Sequence, residues 1–355
     1  METNLIILTL ASVIADSSPL VFAVIGETLS EKAGVTNLSL DGSILLSAMV
    51  GFAVAFMTDN LFLAFFAAML VGALIAALIA FSSIVLKLDQ IAVGFVLTLL
   101  CTDLSTFFGN PFVRKPGPAV PHMSIPILSD IPIIGKIFFD QNVVVYLSLA
   151  AIAVAWWWIY KTQLGLKLQG IGERPAAAFA RGTNVNLQRF IYTLVGGALV
   201  GFAGASYSLF VKLGWSYHMT SGLGWIALSI VIFGGWHPIR GAIGAYIFGG
   251  LQSVGSFAQG WFPDIPTQVF QTAPFALMII ALLLVSNDAI DRFFSGSPVS
   301  RKIWQSLRGT PPGALSTTFA QERQQQIGNQ TNSTKTLRWL LNSMLSCRAA
   351  RRRAR

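Results

Sequence analysis

The stretch Gln169-Gly170-Ile171-Gly172-Glu173-Arg174-Pro175-Ala176-Ala177-Ala178-Phe179-Ala180-Arg181-Gly182 gathers charges and small residues in a chain poor in charge. Glu173 and Pro175 suit the first turn of a helix, and Gly182 suits its end. Two readings stand open. The helix, about two turns long, is an ordinary connector, or it docks its alanine face into a groove on a partner. A second set of residues is polar or aromatic where its surroundings are apolar: Glu27, Asn37, Asp41, Gln90, Thr98, Asp103, Trp225 and Phe233. Polar groups at membrane depth are costly and mark solute pathways. Aromatic rings can stack on the face of a base or a sugar. The structural alternatives are equally concrete. Glu27, Asn37 and Asp41 can cap helices and hold a turn at Gly34. Gln90 can anchor the start of its segment, Asp103 can lie at an interface, and Trp225 and Phe233 can face lipid.

Other chemistry is missing from the sequence. No G-x-x-x-x-G-K-[ST] phosphate loop occurs, so ATP hydrolysis by that route is excluded. His122, His218 and His237 are scattered without zinc spacing, and no serine lies in a G-x-S-x-G elbow. Cys101 and Cys347 indicate neither a disulfide framework nor a metal site. These residues support no enzyme and no bound cofactor or metal.

The elements that must carry the candidates are membrane spans. Positions 61–86 contain no charged residue and no proline, and roughly 20 such residues already cross a bilayer core. Hydrophobic residues make up 54% of the chain and charged residues 11%, against roughly 25% charged in soluble domains. Apolar segments recur at 5–29, 39–57, 61–86, 90–108, 141–160, 189–211, 222–234, 240–258 and 266–286. The expectation is an all-α polytopic transmembrane bundle of about eight to ten spans, some broken or re-entrant. Asp16-Ser17-Ser18-Pro19 predicts a break in the first span, because Asp or Ser before Pro signals a helix start. The segment 222–234 is short and ends at Gly234-Gly235, which predicts a broken element. Gly197-x-x-x-Gly201, with Ala205 next, reads as a close helix-packing face.

Charge divides the chain in two. Positions 297–355 hold eleven Lys or Arg and one acid, Glu322, whereas 1–296 hold thirteen Lys or Arg and fourteen acids. The basicity belongs to the tail, so it gives no reason to expect a nucleic-acid partner. Lys and Arg placement puts the loop 163–188 in the cytoplasm. Lys32, Lys87, Arg240 and Arg292 then fall on the same side, with Arg114, Lys115, Lys136 and Lys212 outside. The domain reading is a membrane domain over 1–296 and a basic, disordered cytoplasmic tail over 297–355, with a short amphipathic helix at 336–346. The proline-rich stretch 109–140 is expected as an ordered external loop.

Four blocks in order carry a resemblance. Glu31-Lys32-Ala33-Gly34-Val35-Thr36-Asn37-Leu38-Ser39-Leu40-Asp41-Gly42 resembles "ERAGVVNIGLEGMML", and Leu88-Asp89-Gln90-Ile91-Ala92-Val93-Gly94 resembles "ADQVVSG". Gly172-Glu173-Arg174-Pro175 through Gly182-Thr183-Asn184-Val185 resembles "GENPRAARYAGINV". Gly224-Trp225-Ile226-Ala227-Leu228 and Ile232-Phe233-Gly234-Gly235-Trp236-His237-Pro238 resemble "GFIALAAVIFGRWNP". These are blocks of ABC importer permeases for simple sugars and nucleosides, related to ribose and branched-chain amino acid permeases. The likeness spans roughly 15–290.

The resemblance implies a multi-pass permease of the inner or plasma membrane that forms the translocation path for a nucleoside. A simple sugar such as ribose is the alternative substrate. It also implies a second permease subunit, alike or different, an extracytoplasmic binding protein that delivers the small molecule, and surrounding lipid. ATP would be used by separate ATPase subunits docked on Gly172–Gly182. A stand-alone secondary transporter is the competing class; it would need no docking helix. Three features depart from the family pattern: Arg174-Pro175 where Asn-Pro is common, Ser39 and Asp41 where Gly and Glu are common, and the long basic tail.

Overall fold

The computed structural model describes residues 2–126, 129, 131, 135–261, 309–320 and a few positions between 266 and 283. The expected span at 266–286 therefore lies largely outside the described residues. The amphipathic helix at 336–346 lies wholly outside them.

Helix α1 (Glu2–Lys32) runs unbroken through Pro19, so the predicted break at 16–19 does not occur. Proline removes one N–H and leaves the carbonyl four residues back unpaired. The helix is held across it by its packing on α8 and α10, and in the turn before the proline Ser17 Oγ donates to the Val13 carbonyl (2.6 Å) and Ser18 Oγ to that of Ile14 (2.9 Å). Helices α2 (Leu40–Thr58) and α3 (Leu61–Ala80) form an antiparallel hairpin. Its two-residue link uses Asp59 in the left-handed region (φ 51°) and Asn60, whose side chain accepts the Leu63 N–H at 3.1 Å. A π-helical turn, Phe81–Val85, ends α3 before α4 (Gln90–Gly109).

The stretch after α4 folds into a short hairpin of β1 (His122–Ser124) and β2 (Asp140–Asn142), paired antiparallel with His122 opposite Asn142. Then come α5 (Val143–Lys161), α6 (Gln163–Glu173), α7 (Pro175–Ala180) and α8 (Val185–Ser206), which continues as a π-helical turn over Tyr207–Val211. Helix α9 (Leu223–Phe233) has 11 residues, too few to cross a core about 30 Å thick at about 1.5 Å per residue. Helix α10 (Pro238–Trp261) runs back along α1, with Gly241 beside Val24 and Gly249 beside Ser17.

Among the described residues, six helical segments are long and apolar enough to cross a membrane: Ile7–Lys32, Leu40–Thr58, Leu61–Val85, Gln90–Phe112, Val143–Lys161 and Val185–Val211. The all-α polytopic bundle is thus observed; of the other expected spans, α9 is short, α10 is more polar, and 266–286 lies largely outside the described residues.

Helix α8 is the centre of the bundle and packs on α1, α2 and α3. Its small residues let backbones touch. A Cβ on Gly201 would meet the Ala68 carbonyl, and one on Gly204 would lie 2.5 Å from that of Ile44. Gly72 of α3 faces Gly197 and Gly201 in the same way. The outer side of α3 is a stripe of exposed Phe62, Phe66, Leu70, Leu74 and Leu78, four residues apart on one helix face.

Candidate functional site: a projecting coupling loop and a tied polar loop

The candidate coupling loop is built from two helices. Helix α6 begins at Thr162, whose hydroxyl accepts the Gly165 N–H (3.1 Å), and ends at Glu173. Arg174 turns the chain with φ −143° and ψ 80°, and Pro175 opens the six-residue α7. Sequence reasoning placed Glu173 in the first turn of one longer helix; it instead closes α6, which the pattern of the connector did not reveal. The end of α7 follows expectation. Gly182 adopts φ +84°, where a Cβ is strained, and the Thr183 N–H reaches back to the Ala178 carbonyl (3.1 Å). Asn184 then caps α8 by accepting the Leu187 N–H (3.1 Å).

The result is a knob at one end of the bundle. Ala176, Ala177, Arg181 and Gly182 are exposed on it, while Gly172 is buried beneath it and Phe179 is half-buried. Between α6 and α7 runs a groove of about 460 Å³ lined by Leu166, Lys167, Gly170, Glu173, Arg174, Ala177, Ala178, Arg181 and Thr183. An apolar floor with charged walls can receive a complementary helix or loop.

The membrane-depth candidates separate into two groups. Four of them, Glu27, Asn37, Gln90 and Thr98, tie down the α1–α2 loop, residues 33–39, at the same end of the bundle, and Asp41 lies beside them. Glu27 Oε1 accepts the Asn37 N–H (2.9 Å), and Asn37 Oδ1 accepts both the N–H (3.0 Å) and the hydroxyl (2.6 Å) of Ser39. Gln90 Oε1 accepts the Thr36 N–H (2.9 Å), and Thr98 Oγ1 donates to the Leu38 carbonyl (2.9 Å). Asp41 Oδ1 accepts the Gly224 N–H (3.1 Å), which anchors α9 to α2. Glu31, buried one turn beyond Glu27, accepts the indole N–H of Trp236. Buried polar groups need such partners. One acceptor is left over: Glu27 Oε2 is buried with no hydrogen-bond partner among the described residues.

The other three candidates are not part of this network. Asp103 is exposed on the outer face of α4, beside Leu99, Leu100 and Phe107. Trp225 packs its ring 5.4 Å from that of Phe95. Phe233 lies at the far end of α9 against Gly244. Eight residues of helix separate Trp225 from Phe233, about 12 Å along the axis, so the two rings do not form one stacking box.

The structure also assembles features that sequence reasoning missed. Midway along α1, Asp16, Ser17, Tyr207, Lys212, Gln252 and Ser253 line part of a cavity of about 160 Å³. Asp16 was legible only as a helix-start signal. At the coupling end, His237 stacks on Tyr160 (5.0 Å between centroids). Burial, with Arg240 and Lys32 nearby, holds its imidazole below the ordinary histidine range. Finally, residues 309–320, expected to be disordered, lie against the coupling loop. The Ala314 N–H donates to the Gly172 carbonyl (2.8 Å), and Phe319 packs 6.0 Å from Phe179.

Comparison with known proteins now decides the family. The family described as branched-chain amino acid transport system permease components matches residues 9–282. The chain belongs to it. This permease is 33% identical over 301 residues to the nucleoside ABC transporter permease NupC of Lactococcus lactis, covering 81% of the chain and 95% of that protein. It is 34% identical over 289 residues to the guanosine ABC transporter permease NupQ of Bacillus subtilis, covering 75% and 88%. To the putative glucose ABC transporter permease TsgC13 of Haloferax volcanii it is 40% identical over 239 residues, covering 66% and 73%. No solved structure matches the chain. It is therefore an ABC importer permease, a multi-pass protein of the inner membrane and a transport component, as the resemblance implied.

Proposed function

We propose that this permease carries a nucleoside across the membrane under the drive of a separate ATPase subunit. The observation that carries the reading is the α6–α7 knob: a stand-alone carrier has no use for a projecting, capped two-helix loop with a groove of about 460 Å³. Glu173, Arg174, Ala177 and Arg181 line the groove and would meet the ATPase. Closure of two ATPase subunits would press on α7 and rock the bundle between two states. The knob then faces the cytoplasm, and the β1–β2 hairpin faces the binding protein on the other side.

Among the path candidates, Glu27, Asn37, Gln90 and Thr98 hold the α1–α2 loop and Asp41 anchors α9 to α2. Asp103 and Trp225 remain for the path itself. A carboxylate facing hydrocarbon is expensive, and the apolar stripe on α3 shows what a lipid face looks like in this chain. Asp103, set among exposed Leu99, Leu100 and Phe107 on α4, therefore suits a contact with a second permease subunit rather than with lipid. No residue here implies a bound cofactor.

The nucleoside reading draws on two relatives whose names specify nucleoside and guanosine and which the chain covers almost end to end. The 40% identical relative named for glucose supports a simple sugar as second reading. The test is ATP-driven uptake of labelled guanosine into vesicles holding the complete importer, with ribose and glucose as competitors. Guanosine uptake that neither sugar suppresses supports the nucleoside; suppression by a sugar, or sugar uptake alone, overturns it. Glu173→Lys combined with Arg174→Glu should abolish uptake while the protein still reaches the membrane. Undiminished uptake would remove the coupling-loop assignment.

A further inference from the structure

The segment 309–320 joins three parts of the coupling end that are far apart in sequence. Its Ala314 N–H pairs with Gly172 at the end of α6, and the Gly313 N–H points to Glu173 Oε2 (3.3 Å). Its Ser316 hydroxyl meets that of Thr36 in the α1–α2 loop (2.7 Å). Its carbonyls at Thr317 (2.8 Å) and Ala314 (3.4 Å) accept from the guanidinium of Arg189 in the first turns of α8. Arg189 is 2% exposed, and these two carbonyls are its hydrogen-bond acceptors among the described residues. A buried charge without such acceptors is strongly unfavourable, so Arg189 and the segment need one another.

Glycines permit the fit. Gly34, at φ +92°, has no room for a Cβ, which would lie 2.7 Å from Arg189 Nη2 and 3.1 Å from the Ala314 carbonyl. A Cβ on Gly172 would collide with the Lys32 carbonyl and touch Pro312. The segment is thus wedged where the ends of α1, α6 and α8 converge.

Resting on the transport reading above, we propose that residues 309–320 are a strap, seated by Arg189, that carries movement of the coupling loop to the α1–α2 loop. One side of the strap holds Gly172 and Glu173. The other holds Thr36, whose neighbours Asn37 and Leu38 are bonded to Glu27 and Thr98 inside the bundle. Displacement of the end of α6 therefore reaches the polar loop directly, through hydrogen bonds, as well as through α8. Arg189 is a positioning residue in this scheme and touches no substrate.

Two variants test the strap in the complete importer. Arg189→Gln should lower ATP-driven guanosine uptake by about tenfold, with ATP hydrolysis by the same complex changed by less than about twofold, the range of a lost coupling. Uptake within that twofold, or parallel loss of hydrolysis and of ATPase binding, overturns the proposal. The second variant pairs Thr36→Cys with Ser316→Cys in a background of Cys101→Ala and Cys347→Ala. Oxidation in membranes should form the cross-link, whatever the substrate proves to be, and cross-linked complexes should keep transporting. Failure to cross-link overturns the seating of the strap. A cross-link that stops uptake until it is reduced means that the strap must release, and it too overturns the proposal. If the unmutated importer moves no guanosine although the cross-link forms, the transport reading fails and the seating stands.

Discussion

Helix α1 carries polar groups near its C-terminal end and at its middle, and the two places are built differently. Near its C-terminus, Glu27 and Glu31 are buried and bonded to the Asn37 backbone and to the Trp236 indole. At its middle, Ser17 is bonded within its own helix while Asp16 is exposed to a cavity that Lys212 also lines. The same residue chemistry thus serves two places. Where a carboxylate accepts backbone N–H groups, it fixes a loop. Where it opens onto space, it is free to meet water or solute.

That contrast breaks most visibly at Glu27. Glu27→Leu should remove about 1–3 kcal/mol of folding stability, because the buried Asn37 N–H loses its acceptor. Reversible unfolding in detergent measures the loss, and a value under about 0.5 kcal/mol would mean the loop does not depend on the bond. Asp16→Asn should behave oppositely. Its stability should stay within about 0.5 kcal/mol of the parent, while guanosine uptake falls several-fold, about the loss of one charged hydrogen bond to a passing solute or its water. Unchanged uptake would make the cavity a packing defect.

The smallest effect concerns His237. An imidazole whose folded pKa is depressed contributes stability that is present above the unfolded value of about 6.5. That contribution is lost as pH falls through it toward the lower folded value. His237→Phe should therefore flatten the acid side of a stability–pH curve in that window. The change should be small, since the half-exposed ring is screened by solvent. An unaltered slope would show that the acid sensitivity arises elsewhere.

The spans and the coupling loop were legible because they depend on local signals. Apolar runs show hydrophobic length, and Pro175 and Gly182 mark helix ends through their own backbone preferences. Residues that act across the fold were not legible. Asp41 meets Gly224 and Glu31 meets Trp236 across most of the membrane domain, and nothing local distinguishes a carboxylate that will find such a partner from one that will face a path. Pro19 misled for a related reason: its cost is real, but packing of α1 on α8 and α10 outweighs it. The segment 309–320 was hidden because Pro311-Pro312-Gly313 carries no periodicity and gains its order from the surface it meets.

The seam around α8 has a consequence for mutation. At Gly72, Gly201 and Gly204 the meeting surface is main chain on main chain, with no room for a first side-chain carbon. Every missense change of a glycine codon adds at least that carbon. Inherited or laboratory variation should therefore be purged hardest at positions with no functional group at all, while the exposed phenylalanines and leucines of α3 drift among apolar residues. In a map of tolerated substitutions, the most constrained line through this permease would be its chemically emptiest.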